Sequence, residues 1–153
     1  MLLSVSAICG LPSATLAQSM TVPEQPATFS LRLSVLLFPP ATPLLTVEFR
    51  AIDAVTVQLE TNFVGTHGIN IKYFVNQPMS GTYLFAGNAI VASRQLRADG
   101  SVALLPYVGG GYAHRFGSAH QWNLDTRVGF GSTINADENL WLPVVKTGLG
   151  YVF

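Results

Sequence analysis

From Phe29 onward the chain alternates apolar and polar residues with a period of two, the signature of strands that turn one face to an apolar environment. The first segment sets Phe29, Leu31, Leu33, Val35 and Leu37 against Ser30, Arg32 and Ser34. In the second, Leu45, Val47, Phe49 and Ala51 oppose Thr46, Glu48 and Arg50. In the third, Val55, Val57, Leu59, Thr61 and Phe63 oppose Thr56, Gln58, Glu60 and Asn62. The fourth places Ile69, Ile71, Tyr73 and Val75 opposite Asn70 and Lys72. Two further segments, over 82–93 and 102–115, are rich in Gly and Ala, and their alternation is too weak to assign a face. Alternation returns where Trp122, Leu124, Thr126, Val128 and Phe130 oppose Asn123, Asp125, Arg127 and Gly129. It ends with Trp141, Val145, Leu149, Tyr151 and Phe153 against Lys146, Gly148 and Gly150.

Turn-forming clusters separate the segments: Pro39-Pro40-Ala41-Thr42, Ile52-Asp53, Gly65-Thr66-His67, Asn76-Gln77-Pro78, Ala98-Asp99-Gly100, Gly117-Ser118 and Asn135-Ala136-Asp137-Glu138. Seven connections imply eight strands. The even count returns both ends of the chain to one side of a closed barrel. The expected fold is therefore all-β, a closed antiparallel up-and-down transmembrane β-barrel over 28–153.

Composition changes this picture in one direction. Charged residues make up 10% of the chain and hydrophobic residues 49%, against about 25% charged in an ordinary soluble domain. After the N-terminal segment no run approaches the roughly 20 apolar residues of a membrane-spanning helix. The eight basic and eight acidic residues cancel and are scattered, with no patch suited to nucleic acid. Cys9 has no second cysteine to pair with, which leaves neither a disulfide framework nor a cysteine metal site. Residues 1–17 have the apolar stretch and the small-residue ending, Thr15-Leu16-Ala17, of a secretory signal, without its positive start. Residues 18–27 form a short lead-in on the periplasmic side.

Which face meets lipid follows from the charges. Arg32, Glu48, Arg50, Glu60, Lys72, Asp125, Arg127 and Lys146 all fall on the polar face of a strand, eight of the sixteen charged residues. A solvent-facing surface of exposed strands would carry still more charge. An eight-stranded barrel is just wide enough for side chains to fill, so mixed charges on its inner face can pair across the lumen and plug it. Aromatic residues near segment ends, among them Phe29, Phe63, Tyr73, Trp122, Trp141 and Tyr151, suit the interfacial girdles of such a barrel.

The chain closes on Gly148-Leu149-Gly150-Tyr151-Val152-Phe153, with Leu149, Tyr151 and Phe153 on one face. This ending resembles the C-terminal assembly signal of bacterial outer-membrane barrels, and its shape is similar to that of the small OmpX-type and OmpA-type eight-stranded barrels. The resemblance implies residence in the outer membrane of a Gram-negative bacterium and contact with outer-membrane lipid. It also implies recognition of the last strand by the barrel assembly machinery, with Tyr151 and Phe153 read. It implies no shared activity, and the short first, third, fifth and seventh connections, which would face outside, argue against roles that need long external loops.

The residues that enzymatic chemistry would use are His67, His114, His120, Ser118 and Asp125. His120 and Asp125 differ by an odd number of residues and point to opposite faces of one strand, and Ser118 sits in a turn where a hydroxyl serves the local backbone. No two histidines share a face at metal-ligand spacing. The sequence thus favours a non-enzymatic envelope barrel with a structural or partner-binding role, without a cofactor. The alternatives are a soluble periplasmic lipocalin-like carrier of an apolar ligand and a lipid A or phospholipid acyl hydrolase or transferase. Oligomeric state is not encoded in any recognisable pattern.

Overall fold

The computed structural model describes residues 28–37, 41–63, 65–92, 102–134 and 140–153. Eight strands run β1 (Phe29–Leu36), β2 (Thr42–Ile52), β3 (Val55–Thr61), β4 (Thr66–Phe74), β5 (Gly81–Ala92), β6 (Val102–Phe116), β7 (Trp122–Ser132) and β8 (Trp141–Val152). Each pairs antiparallel with its sequence neighbours, and β1 pairs with β8, so the sheet closes into the up-and-down barrel expected from the alternation. The proposed export signal and lead-in, residues 1–27, lie outside the described residues, as do most of the connections around 38–40, 93–101 and 135–139.

Closure removes every free strand edge, which satisfies the backbone donors and acceptors that an open sheet would expose. At the seam Leu33 faces Leu149 and Ser34 faces Gly148. The Phe153 amide donates to the Phe29 carbonyl at 2.9 Å, and the Thr28 amide donates to the Phe153 carbonyl at 3.3 Å. One end of the barrel holds Thr28, Phe153 and the connections 53–54, 75–80 and 117–121. At the other end lie Leu36, Thr42, Thr61, Thr66, Ala92, Val102, Ser132 and Trp141. Tight turns at the first end use left-handed backbone at Met79 and His120 (φ 58° and 51°) and at Gly81 and Gly117.

Every strand shows one buried and one exposed face. Leu33, Leu84 and Phe130 point out and are 65%, 61% and 66% exposed, whereas Arg32, Lys72 and Arg127 point in and are at most 1% exposed. Among the described strand positions, no outward-facing residue is Asp, Glu, Lys or Arg.

The structure resolves the two segments whose facing the alternation left open. In β5 and β6, Tyr83, Phe85, Ala89, Leu105, Tyr107 and Ala113 are buried inside, while Leu84, Ile90, Val108 and Tyr112 face outward. Aromatic rings therefore fill the side of the lumen opposite the charged strands. Phe74, Tyr83, Phe85 and Tyr107 stack in sequence, with centroids 5.0, 6.2 and 6.0 Å apart. Glycines make room for them. A Cβ on Gly109 or Gly129 would come within 2.8 or 3.0 Å of the Phe85 ring tip, and one on Gly111 would overlap the Tyr83 ring. Large inward rings on β5 thus lie over bare backbone on β6 and β7, and volume is conserved across the barrel.

Strand limits differ from the alternation at several places, three of them beside turns. β2 begins at Thr42 and β4 at Thr66, so part of each expected turn is strand, and β3 stops at Thr61. There the Asn62 side chain accepts from the Gly65 and Thr66 amides at 2.9 and 2.8 Å, and Phe63 takes left-handed backbone, φ 60°. This Asx-type turn tightens the connection that alternation through Phe63 extended.

The seam offers a test of this packing. The atoms nearest to a Cβ on Gly148 would be those of the Ser34 and Arg32 side chains. Gly148→Ala is expected to destabilise the barrel by about 1–3 kcal/mol through overpacking, and Ser34→Gly in the same chain to recover a large part of that loss. Urea unfolding of the two variants in lipid vesicles measures both.

Candidate functional site in the barrel lumen

Seven of the eight charged residues picked from the polar face meet inside the barrel, in two clusters at different heights. Nearer the end that carries Thr28 and Phe153, Arg32 and Lys72 bridge Glu48 and Asp125. Arg32 Nη2 lies 2.8 Å from Glu48 Oε2 and Nη1 lies 3.2 Å from Asp125 Oδ2. Lys72 Nζ lies 3.0 Å from Glu48 Oε2 and 2.7 Å from Asp125 Oδ2. The remaining carboxylate oxygens also have donors: Thr56 Oγ1 gives a 2.6 Å bond to Glu48 Oε1, and the Tyr83 hydroxyl gives a 2.9 Å bond to Asp125 Oδ1. Two cations and two anions make this cluster neutral.

Nearer the other end, Glu60 accepts from Arg127 Nη2 at 2.7 Å and from Lys146 Nζ. Arg127 Nη1 donates to Gln58 Oε1 at 3.1 Å, and Lys146 Nζ to Thr46 Oγ1 at 3.1 Å. One carboxylate serves two basic side chains here. The aromatic side of the lumen also receives basic side chains. Arg127 Cζ sits 4.9 Å from the Phe85 ring centroid and 5.8 Å from that of Tyr107, and Lys72 Nζ 4.5 Å from that of Tyr83. Cations held over ring faces gain electrostatic attraction, most of all away from water.

Arg50 is the exception to the expected network. Its side chain faces inward by parity, but it stands at the end of β2, 20% exposed, and pairs with Asp53 of the adjoining turn, itself 99% exposed. Alternation fixes the face of a residue and leaves its height along the barrel to strand stagger, and β2 carries Arg50 past the mouth. One partner lacked any sequence signal, Tyr83, whose strand had no clear facing; Gln58 fell on the polar face with nothing to set it apart from the other amides there.

The side chains considered for chemistry are kept apart. His67 lies at the opposite end of the barrel from His114 and His120. His114 faces outward and stacks on Phe116 with centroids 6.1 Å apart, while Asp125 is buried inside among cations. Ser118 and His120 occupy the exposed turn between β6 and β7. Among the described residues no group of three or more His, Cys, Asp or Glu could hold a metal ion.

At the seam, Leu149 and Phe153 are exposed on the outer face. The Phe153 ring lies 4.9 Å from Tyr151 and 5.6 Å from Phe29, and Tyr151 lies 5.6 Å from Trp122. The terminal motif is thus part of an outward aromatic cluster spanning β7, β8 and β1.

These features define a closed eight-stranded barrel with a side-chain-filled lumen. No protein-family model and no curated protein matches the chain. Among solved structures, the chain is similar to the N-terminal β-barrel domain of Pseudomonas aeruginosa OprF, with a TM-score of 0.59 at 14% identity, over 84% of this chain and 98% of that one. It also matches a de novo designed protein, TMB2.3, with a TM-score of 0.49 at 16% identity, over 84% of this chain and 95% of that one. The first likeness establishes the fold that the chain shares with OprF's barrel domain.

The neutral cluster predicts the effect of removing one partner. Asp125→Asn leaves Arg32 and Lys72 with Glu48 alone and is expected to destabilise the barrel by about 3–5 kcal/mol, the usual cost of stranding a buried charge. Asp53→Asn, which affects only the exposed pair with Arg50, should change stability by less than about 1 kcal/mol. Denaturant titrations of the two variants provide the comparison.

Proposed function

We propose that this chain is a non-enzymatic integral protein of a Gram-negative outer membrane, with a structural or partner-binding role in the envelope and a lumen closed to solutes by its own side chains. The observation that carries the reading is the inversion of a soluble protein's polarity. The charges of the described strands lie on the inner face or at strand ends, and the outer face is uncharged and mostly apolar. Such a surface is stable against hydrocarbon and aggregation-prone in water. Six of the strands are 9 to 15 residues long, which meets or exceeds the about 9–11 residues with which a tilted strand crosses a bilayer. β1 and β3, of 8 and 7 residues, are the short ones.

Outward aromatics concentrate toward the two ends, with Tyr73, Trp122, Tyr151 and Phe153 at one and Phe63 and Trp141 at the other, where a girdle meets lipid headgroups. The barrel's likeness to the OprF domain supports the same placement. The exposed Leu149 and Phe153 beside Tyr151 suit reading of the last strand by the assembly machinery before the seam closes. Arg32, Lys72, Arg127 and Lys146 cross the lumen in two layers, so passage of a solute would require breaking ion pairs that nothing else in the interior replaces.

The test is fractionation of cells expressing the chain, with gel mobility of the membrane fraction compared before and after boiling. Recovery with the outer membrane and a heat-dependent mobility shift is the expected result. Recovery as a soluble periplasmic protein without a shift would contradict the proposal and favour a lipocalin-like carrier.

A further inference from the structure

The outer face of the barrel holds few polar side chains, and several of them meet in pairs. Thr126 on β7 and Thr147 on β8 share a hydrogen bond of 3.2 Å, and Thr61 on β3 shares one of 3.0 Å with His67 on β4. Asn88 on β5 is different. It is the single amide on the outward face of the described strands, it is exposed, and its side chain has no hydrogen-bond partner among the described residues. Its neighbours on that face are apolar: Ala86 and Ile90 along the strand, Ile69 opposite on β4 and Pro106 opposite on β6.

Depth rules out the headgroups as its partner. β5 runs on from Asn88 to Ala92 at one end and back to Gly81 at the other. At about 3.3 Å per residue, the nearer end is roughly 13 Å away along the strand. The amide therefore sits in the hydrocarbon band, where an unpaired polar group costs free energy that a partner recovers. The closed ladder engages the strand backbones around the barrel, so a neighbouring barrel can meet Asn88 only with a side chain.

A second copy inserted in the same direction carries the same amide at the same depth. A carboxamide both donates and accepts, so two Asn88 side chains facing across a twofold axis satisfy one another. The surroundings permit the approach. Ala86 and Pro106 are short, and small side chains beside a polar one let two membrane segments come close enough for the bond to form.

We propose that the outer face of β5 and β6 around Asn88 is the contact between two copies of this chain, related by a twofold axis along the membrane normal. The pairing rests on the membrane reading above and supplies a partner for its partner-binding role.

The test is Förster transfer between donor-labelled and acceptor-labelled copies of the chain in phosphatidylcholine vesicles, measured across protein-to-lipid ratios. Labels are attached at Ser118→Cys in the exposed β6–β7 turn, in a Cys9→Ser background. Transfer that saturates well above the level of random mixing is expected. Asn88→Leu, a change that a lipid-facing position accepts without loss of the fold, should weaken the association at least fivefold. Ala86→Trp should weaken it likewise by holding the two faces apart. Leu33→Ala, on β1 at the opposite side of the barrel, should leave it within twofold. Transfer no greater than random mixing at every ratio, or association unaltered by Asn88→Leu, would overturn the proposal. A barrel that inserts and stays monomeric removes the pairing alone, whereas recovery of the chain from cells as a soluble protein removes the membrane reading and the pairing together.

Discussion

Seven charged side chains stand inside a barrel whose strands carry none on the outside, and this inversion governs most of what else the chain must do. A buried charge without a partner costs several kcal/mol, so each of Arg32, Glu48, Glu60, Lys72, Asp125, Arg127 and Lys146 must reach another across the lumen. Such reach is possible only in a barrel this narrow and with strand stagger that sets Glu60 level with Arg127 and Lys146, and Glu48 level with Asp125. The pairs therefore act as constraints on register and closure, linking β1, β2, β3, β4, β7 and β8 through the interior as the backbone ladder links them around the circumference. Their net stabilising effect is small compared with the cost of disrupting one.

The remaining strands solve a different packing problem. β5 and β6 bring rings to the lumen, and their neighbours yield space through glycine at 109, 111 and 129. The rings also accept the cations, with Arg127 over Phe85 and Lys72 over Tyr83. Charged and aromatic halves are therefore complementary, and a cavity of about 50 Å³ remains beside Ala89 and the aliphatic residues near Pro143.

How much of this was legible in the sequence follows from contrast between faces. In β1 to β4 and β7 the inward residues are polar and the outward ones apolar, so period-two alternation marked both the strands and the lumen. In β5 and β6 the contrast collapses, because inward Tyr83, Phe85 and Tyr107 are as apolar as outward Leu84 and Val108, and outward Asn88 and Gly110 are not apolar at all. In β8, Pro143 and inward Val144 interrupt the pattern before Lys146 restores it. Facing could be read from parity, but height could not. That is why Arg50 was grouped with the interior charges although it pairs with Asp53 at the rim. The division into a cluster of four and a cluster of three depends on contacts 67 and 86 residues apart in sequence, as for Arg127 and Lys146 with Glu60, and no local pattern encodes such pairing.

The central claim is that the uncharged outer face lies in lipid, and site-directed spin labelling tests it most directly. Nitroxides attached to cysteines placed at Ile71, Leu84 and Val128, with the barrel in lipid vesicles, report collisions with oxygen, which concentrates in hydrocarbon, and with a water-soluble nickel chelate. High oxygen and low nickel accessibility at all three positions is the predicted result. Nickel accessibility matching that of a label on an exposed turn would contradict the account.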